Sequence, residues 1–153
     1  MPQIEQRLAE LGLTLPQPVA PIATYVPFVR TGNVVHISGQ VSTDAEGGIK
    51  GTVGENVDFD TALKAARTCG LNLIAQMKAA CDGDLERVVR VVKLGGFVQA
   101  GAEFYDVPKV INGCSDLMVE VFGEAGRHAR SAVGVYKLPR NFAVEVDAVV
   151  QVR

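Results

Sequence analysis

Residues 127–147 read RHARSAVGVYKLPRNFAVEVD. This stretch holds two runs rich in β-branched residues, Arg130–Leu138 and Ala143–Val152, joined by a short Leu-Pro-Arg-Asn-Phe connector. Alternating valines predict two strands that fold back on each other as a hairpin. Arg130 opens the first run, and Glu145 sits inside the second between Val144 and Val146. A guanidinium at a strand mouth and a carboxylate among valines both lose hydration, so each needs a partner or a purpose.

Upstream of this pair the chain supplies the other elements. Residues 3–12 predict a short amphipathic helix, with Ile4, Leu8 and Leu11 at helical spacing and Gly12 as its stop. Leu15-Pro16-Gln17-Pro18 is extended, because each proline turns its predecessor away from the α region. Residues Tyr25–Arg30 and Val34–Gln40, split by Thr31-Gly32-Asn33, predict a hairpin. Asn56 or Asp58 can cap a helix reaching about Cys81, whose stripe is Phe59, Leu63, Ala66, Cys69, Leu73, Met77 and Ala80. Residues 85–98 predict a strand bent or bulged at Gly95-Gly96. A second long helix starts near Asp106 with Pro108 in its first turn. Val110, Ile111, Cys114, Leu117, Met118, Val121 and Phe122 form its buried face.

The order α-ββ-α-β-α-ββ does not alternate strictly, which implies an α+β fold with one mixed β-sheet and two long helices on one face. The opposite face, read as carrying Val34, Val89, Val91, Val133 and Val135, is apolar enough to require cover, and self-association is the simplest cover. The 153 residues divide into an N-terminal helical extension, 1–20, and one domain, 21–153. A net charge of −2 and one short basic cluster around Arg127-His128-Ala129-Arg130 give no footprint for nucleic acid. The N-terminus lacks the pattern of a secretory leader, and no run reaches the ~20 apolar residues of a membrane span. Cys69, Cys81 and Cys114 lack CxxC spacing and fall on apolar faces, as expected of buried thiols in a reducing cytoplasmic setting.

Several chemistries lack their residues. No phosphate-binding Gly-Lys-Ser/Thr loop is present, and His36 stands where a nucleophile elbow around Ser38 needs glycine. Two histidines, His36 and His128, do not make a metal site, so neither metal nor cofactor is expected. What remains is a set of polar groups at element ends: Arg130, Glu145, Tyr25, Ser38, Gly39 and Asn112. Arg130 can pair with Glu120 or Glu124 on the surface, or grip a ligand carboxylate with its planar fork. Glu145 can face outward beside Asp147, or hold and activate a water. Whether the two share a face depends on strand register.

These residues resemble a known family. Arg130, Val133, Val135, Leu138, Pro139, Val144, Glu145, Val146 and Ala148 match the Arg-x-x-Val-x-Val…Leu-Pro…Val-Glu-Val-x-Ala pattern of the RidA proteins, also called the YjgF or endoribonuclease L-PSP family. Ser38-Gly39-Gln40 is similar to that family's Ser-Gly-Gln element, Tyr25 to its site tyrosine with Thr24 in place of proline, and Asn112 to its helix asparagine. The resemblance covers roughly residues 21–152. It implies a chorismate-mutase-like fold, a homotrimer, and sites between subunits where Arg130 binds the carboxylate of a 2-imino or 2-keto acid and Glu145 positions water. Ala132 departs from the cysteine that many deaminase-active members carry two residues after the arginine. The leading expectation is hydrolysis of enamines or imines to 2-keto acids and ammonia without a cofactor. A non-catalytic binder of small carboxylic acids is the alternative. A ribonuclease, the activity in the family's older name, fits the charge poorly, and a chorismate-mutase-like reaction would rest on fold analogy alone.

Overall fold

The computed structural model describes residues 3–21 and 23–153. The chain runs α1 (Gln3–Glu10), β1 (Phe28–Thr31), β2 (Val34–Val41), α2 (Phe59–Ala80), β3 (Val88–Gln99), α3 (Val107–Phe122), β4 (Ala129–Val135) and β5 (Val144–Val152). One five-stranded sheet has the order β1-β2-β5-β3-β4, antiparallel except for the parallel pair β3–β4. Helices α2 and α3 cover one face, so the α+β layering read from the sequence stands.

One inference from residues 127–147 is corrected. β4 and β5 are not a hairpin, because β3 lies between them and pairs with both. The connector is long enough to step over one strand, and Val144–Val152 finds antiparallel partners on both sides, which buries it best. Alternate residues of this central strand, Val144, Val146, Ala148, Val150 and Val152, are all buried against the helices.

The expected bulge also moves. Gly95 and Gly96 pair regularly, while the register shifts fall at Val88/Arg90 and Val91/Lys93. Val88, Val91 and Leu94 oppose Val152, Val150 and Ala148, so β3 spends three residues for every two on β5. Two bulges thereby turn Val91 into the core, and it does not belong to the open face. The glycine pair serves close packing instead. A Cβ on Gly96 would meet Ile111 of α3 at 2.7 Å, and one on Gly95 would strike the Asp147 carboxylate.

Asp58 caps α2, its carboxylate accepting the Thr61 N–H at 2.8 Å, and the Thr61 side chain first, then this N–H, hold its pKa below the usual value. Phe59, expected in the buried stripe, is exposed at the first position of the helix. Along α3 every residue of the expected face is buried.

The two helices meet through Gly70 and Gly113. A Cβ on Gly113 would collide with the Leu63 carbonyl oxygen and lie 3.2 Å from the Ala66 methyl. In an open helix Gly→Ala gains ~1 kcal/mol, but here the obstacle is backbone and cannot rotate away. Gly113→Ala is therefore expected to lose about 1–3 kcal/mol net, lowering the melting temperature by roughly 2–10 °C. A thermal melt showing a rise would mean that the helices separate freely.

The N-terminal segment is tied to this body. Leu8 enters the core, Glu86 accepts the Gln3 and Ile4 N–H groups, and Lys78 pairs with Glu5 at 2.8 Å. Gln76, fully buried in α2, donates to the Val19 carbonyl at 2.9 Å and pins the proline-rich stretch to the helix. Met1 and Pro2 of the N-terminal extension lie outside the described residues.

Candidate functional site

Register settles where the two charged candidates stand. Arg130 lies opposite Leu94 on the neighbouring strand, and Leu94 is buried against the helices. Arg130 therefore points to the helix side of β4, the edge strand. Glu145 lies opposite Phe97 and Val41, one residue out of phase with the buried Val144 and Val146, and faces the open side with Asp147. One chain thus holds the two on opposite faces of its sheet.

Around Arg130 the groups are well defined. Asn112 Oδ1 and Ser115 Oγ on α3 accept from its Nη1 at 2.8 and 3.1 Å. Asn112 and Ser115 are three residues apart and so share a helix face. The surface pairing with Glu120 or Glu124 does not occur: Glu120 pairs with Arg67, and Glu124 with Arg127. His128 completes the set, its Nδ1 2.6 Å from the Gly126 carbonyl and its Nε2 2.9 Å from Ser115 Oγ. A carbonyl only accepts, so Nδ1 carries a hydrogen, and in the tautomer with hydrogen on Nδ1 alone Nε2 accepts the hydrogen bond from the Ser115 hydroxyl. The lone pairs of Ser115 are then turned to Arg130. Among the described residues Nε and Nη2 of Arg130 bond to nothing, which leaves one edge of the fork for a ligand. Ala132 follows Arg130 on the same side of the strand, opposite Gly96.

The second group of candidates lines a cleft of about 510 Å³ that includes Tyr25, Ser38, Gly39, Arg140 and Glu145. The register between β2 and β5 shifts from Ile37 to Gln40, so Ser38 and Gly39 bulge beside Glu145. Ser38 is held by its own N–H to the Pro27 carbonyl, 2.9 Å, and by its hydroxyl to the Val26 carbonyl, 2.7 Å. Any side chain at Gly39 would run into the Glu145 carboxylate, which explains glycine at this position. Tyr25, expected near a strand edge, precedes β1 in a bend and stands exposed on the rim. Val19, Ala20 and Pro21 form the far wall, where Gln76 holds them.

Glu145 is half-buried and accepts no hydrogen bond among the described residues. Burial first, and then the neighbouring Asp147 charge, raise its pKa above the ordinary value. Asp147 is raised too, mainly by burial, with the Gly95 N–H and Lys93 opposing. The cysteines lie elsewhere: burial pushes Cys114 to about 12 and Cys69 well above its usual range, so neither is a nucleophile at neutral pH.

Sequence reasoning missed Ser115, His128 and Arg140. The i,i+3 pair Asn112/Ser115 was visible as helix polarity, but its use depends on the parallel β3–β4 pairing, which carries Arg130 beneath it. Arg140 was hidden in the connector, since no local pattern tells whether a turn residue faces a cleft.

A single mixed sheet with two helices on one face, β3 and β4 parallel at its edge, and charged candidates on both faces define an α+β protein of chorismate-mutase-like architecture. The family described as "YjgF/chorismate_mutase-like, putative endoribonuclease" has a sequence profile that matches residues 5–149, and the chain belongs to that family. Protein TCP17 of Trypanosoma cruzi is 46% identical, over 97% of this chain and 94% of its own length. A protein of the mite Dermatophagoides farinae named 2-iminobutanoate/2-iminopropanoate deaminase is 31% identical over 88% of each chain. A crystal structure of an Agrobacterium tumefaciens protein of unknown function superposes with a TM-score of 0.91 at 47% identity, covering 99% of this chain and 94% of that one.

Proposed function

We propose that the protein hydrolyses 2-imino acids, and their enamine tautomers, to 2-keto acids and ammonia. The observation that carries this reading is Glu145, a half-buried carboxylate of raised proton affinity on the wall of a cleft, without a hydrogen-bond partner among the described residues. A water held by Glu145 adds its oxygen to the imine carbon while its proton passes to the carboxylate. The carboxylate returns that proton to nitrogen, giving a carbinolamine; it then relays the new hydroxyl's proton to the same nitrogen, the C–N bond breaks, and ammonia leaves as the C=O forms. The imine carbon is already electrophilic, so positioning and modest base assistance suffice. The name of the mite relative supports the same chemistry.

Arg130 enters as the clamp for the substrate carboxylate, through the Nε and Nη2 edge left open by Asn112 and Ser115. Because it lies across the sheet from Glu145, the reading requires Arg130 of a second copy beside the cleft of the first. A homotrimer with three such interface sites meets that requirement. Exposed Val133, Val89 and Val92 favour self-association of the sheet. Sedimentation at micromolar concentration is expected to give a trimer, and a uniform monomer would leave each site half built.

The deciding experiment is a coupled ammonia assay on freshly generated 2-iminopropanoate and 2-iminobutanoate. Release faster than the uncatalysed rate supports the enzyme. Saturable binding of pyruvate without turnover supports a carboxylic acid binder, the reading favoured by Ala132 in place of cysteine.

A further inference from the structure

The connector between β4 and β5 carries a feature that carboxylate gripping by Arg130 does not use. Arg140 and Asn141 both adopt left-handed backbone conformations, with φ of 54° and 65°. For an arginine this is an uncommon conformation, costing on the order of 1 kcal/mol or more, and it persists only where surroundings enforce it. The enforcing group is Gln99, 1% exposed at the end of β3. Its Nε2 donates to the Gly51 carbonyl and Asn141 Oδ1 at 3.0 and 2.7 Å, and its Oε1 accepts the Leu138 N–H at 2.7 Å. The Asn141 carbonyl in turn accepts the Gly51 N–H at 2.8 Å. Both ends of the turn are thus fixed to the core.

The turn presents Arg140 to the cleft of Glu145, Ser38 and Tyr25, where it is the one cation lining the wall among the described residues. Among the described residues it forms no ion pair; its guanidinium rests 5.2 Å from the Phe142 ring centre. Lys50, likewise without an ion pair among the described residues, sits 4.9 Å from the same centre. Both cations lie against the buried Phe142 ring rather than against a carboxylate, which leaves the guanidinium donors of Arg140 open to an anion in the cleft. Glu145, on the same wall, is not bonded to Arg140.

We propose that Arg140 is a specificity-determining residue, gripping a second acidic group, so that the cleft selects 2-keto and 2-imino acids bearing a distal carboxylate. The chemistry at the imine rests on the reading given under Proposed function; the preference for a second carboxylate does not. Arg130 of a neighbouring copy takes the carboxylate next to the reacting carbon, and Arg140 takes the distal one.

The test compares 2-oxoglutarate with 2-oxopentanoate, which has the same chain length without the distal acid, by calorimetry on the full-length protein. 2-Oxoglutarate is expected to bind at least about 10-fold more tightly, and Arg140→Ala to bring the ratio near 1. Arg140→Gly is the companion variant, since glycine suits the positive φ and keeps the turn; it should give the same ratio. Equal affinity for the two acids in the parent protein overturns the proposal. So does a ratio that survives both substitutions. In parallel, the imino acids made from glutamate and norvaline by an amino acid oxidase are assayed for ammonia release. Preference for 2-oxoglutarate without turnover of either supports the second anion site and overturns imine hydrolysis. Turnover of both at equal efficiency and equal KM supports hydrolysis and overturns the role of Arg140.

Discussion

Arg130→Ala is expected to abolish turnover and to weaken binding of pyruvate or 2-ketobutyrate by roughly 100-fold or more. The scale follows from a charge-assisted bidentate contact, ~1.5–3 kcal/mol for each hydrogen bond. Arg130→Lys should recover little. An ammonium is a point charge, and the site is built for a fork: Nη1 is committed to Asn112 and Ser115, which aims the remaining edge away from α3. The fold should survive, because the edge strand keeps its ladder to β3 and water can reach the two acceptors left behind. Calorimetry with circular dichroism and oligomer size on the same preparation separates these effects. Unchanged keto-acid affinity in a folded Arg130→Ala protein would remove Arg130 from the site.

What could be read before the structure follows a physical division. Helical stripes repeat locally, so both long helices were legible, and every residue expected on the inner face of α3 is buried, Val107 in the first turn being the one buried residue left out. Strand existence was legible for the same reason, since valine alternation is a local signal. Strand neighbours are not local. The run of residues 127–147 looks like a hairpin because its halves are short and adjacent, and nothing nearby reveals that β3 inserts between them. That one topological fact sends Arg130 beneath α3 and leaves Glu145 on the open face. The glycine pair at 95–96 was visible, but its cause was not. Glycine in a strand signals either a bulge or a close neighbour, and here Ile111 and Asp147 are the neighbours while the bulges arise upstream. Candidate residues came through by type: an arginine, an acid and a Ser-Gly pair. Their grouping into two half-sites needed the register, and the His128–Ser115–Arg130 chain needed the hydrogen-bond directions as well.

Glu145→Gln tests the other half-site, and activity and stability should move in opposite directions. As the base that receives the water proton, Glu145 works only when ionised. Its pKa is raised by burial and by Asp147, so turnover of the parent protein should fall on acidification at a higher pH than an ordinary glutamate would give. Glu145→Gln should lower turnover by roughly 100-fold, leave keto-acid affinity within a few-fold, and flatten that acid limb. Stability carries the reverse sign. A carboxyl with a raised pKa in the folded state binds its proton more tightly there than in the unfolded chain. Its contribution is therefore complete below the unfolded value and is lost as pH rises through the folded one. At pH 7 the ionised Glu145 is a cost to the fold, moderated by its partial exposure to solvent. The neutral amide of Glu145→Gln should melt no lower than the parent at pH 7, with the difference shrinking toward pH 4. Such a variant, inactive yet at least as stable, would place the carboxylate in the reaction. A Glu145→Gln protein that melts lower at pH 7 while keeping full turnover would make Glu145 a structural group and take the water-activating step away from it.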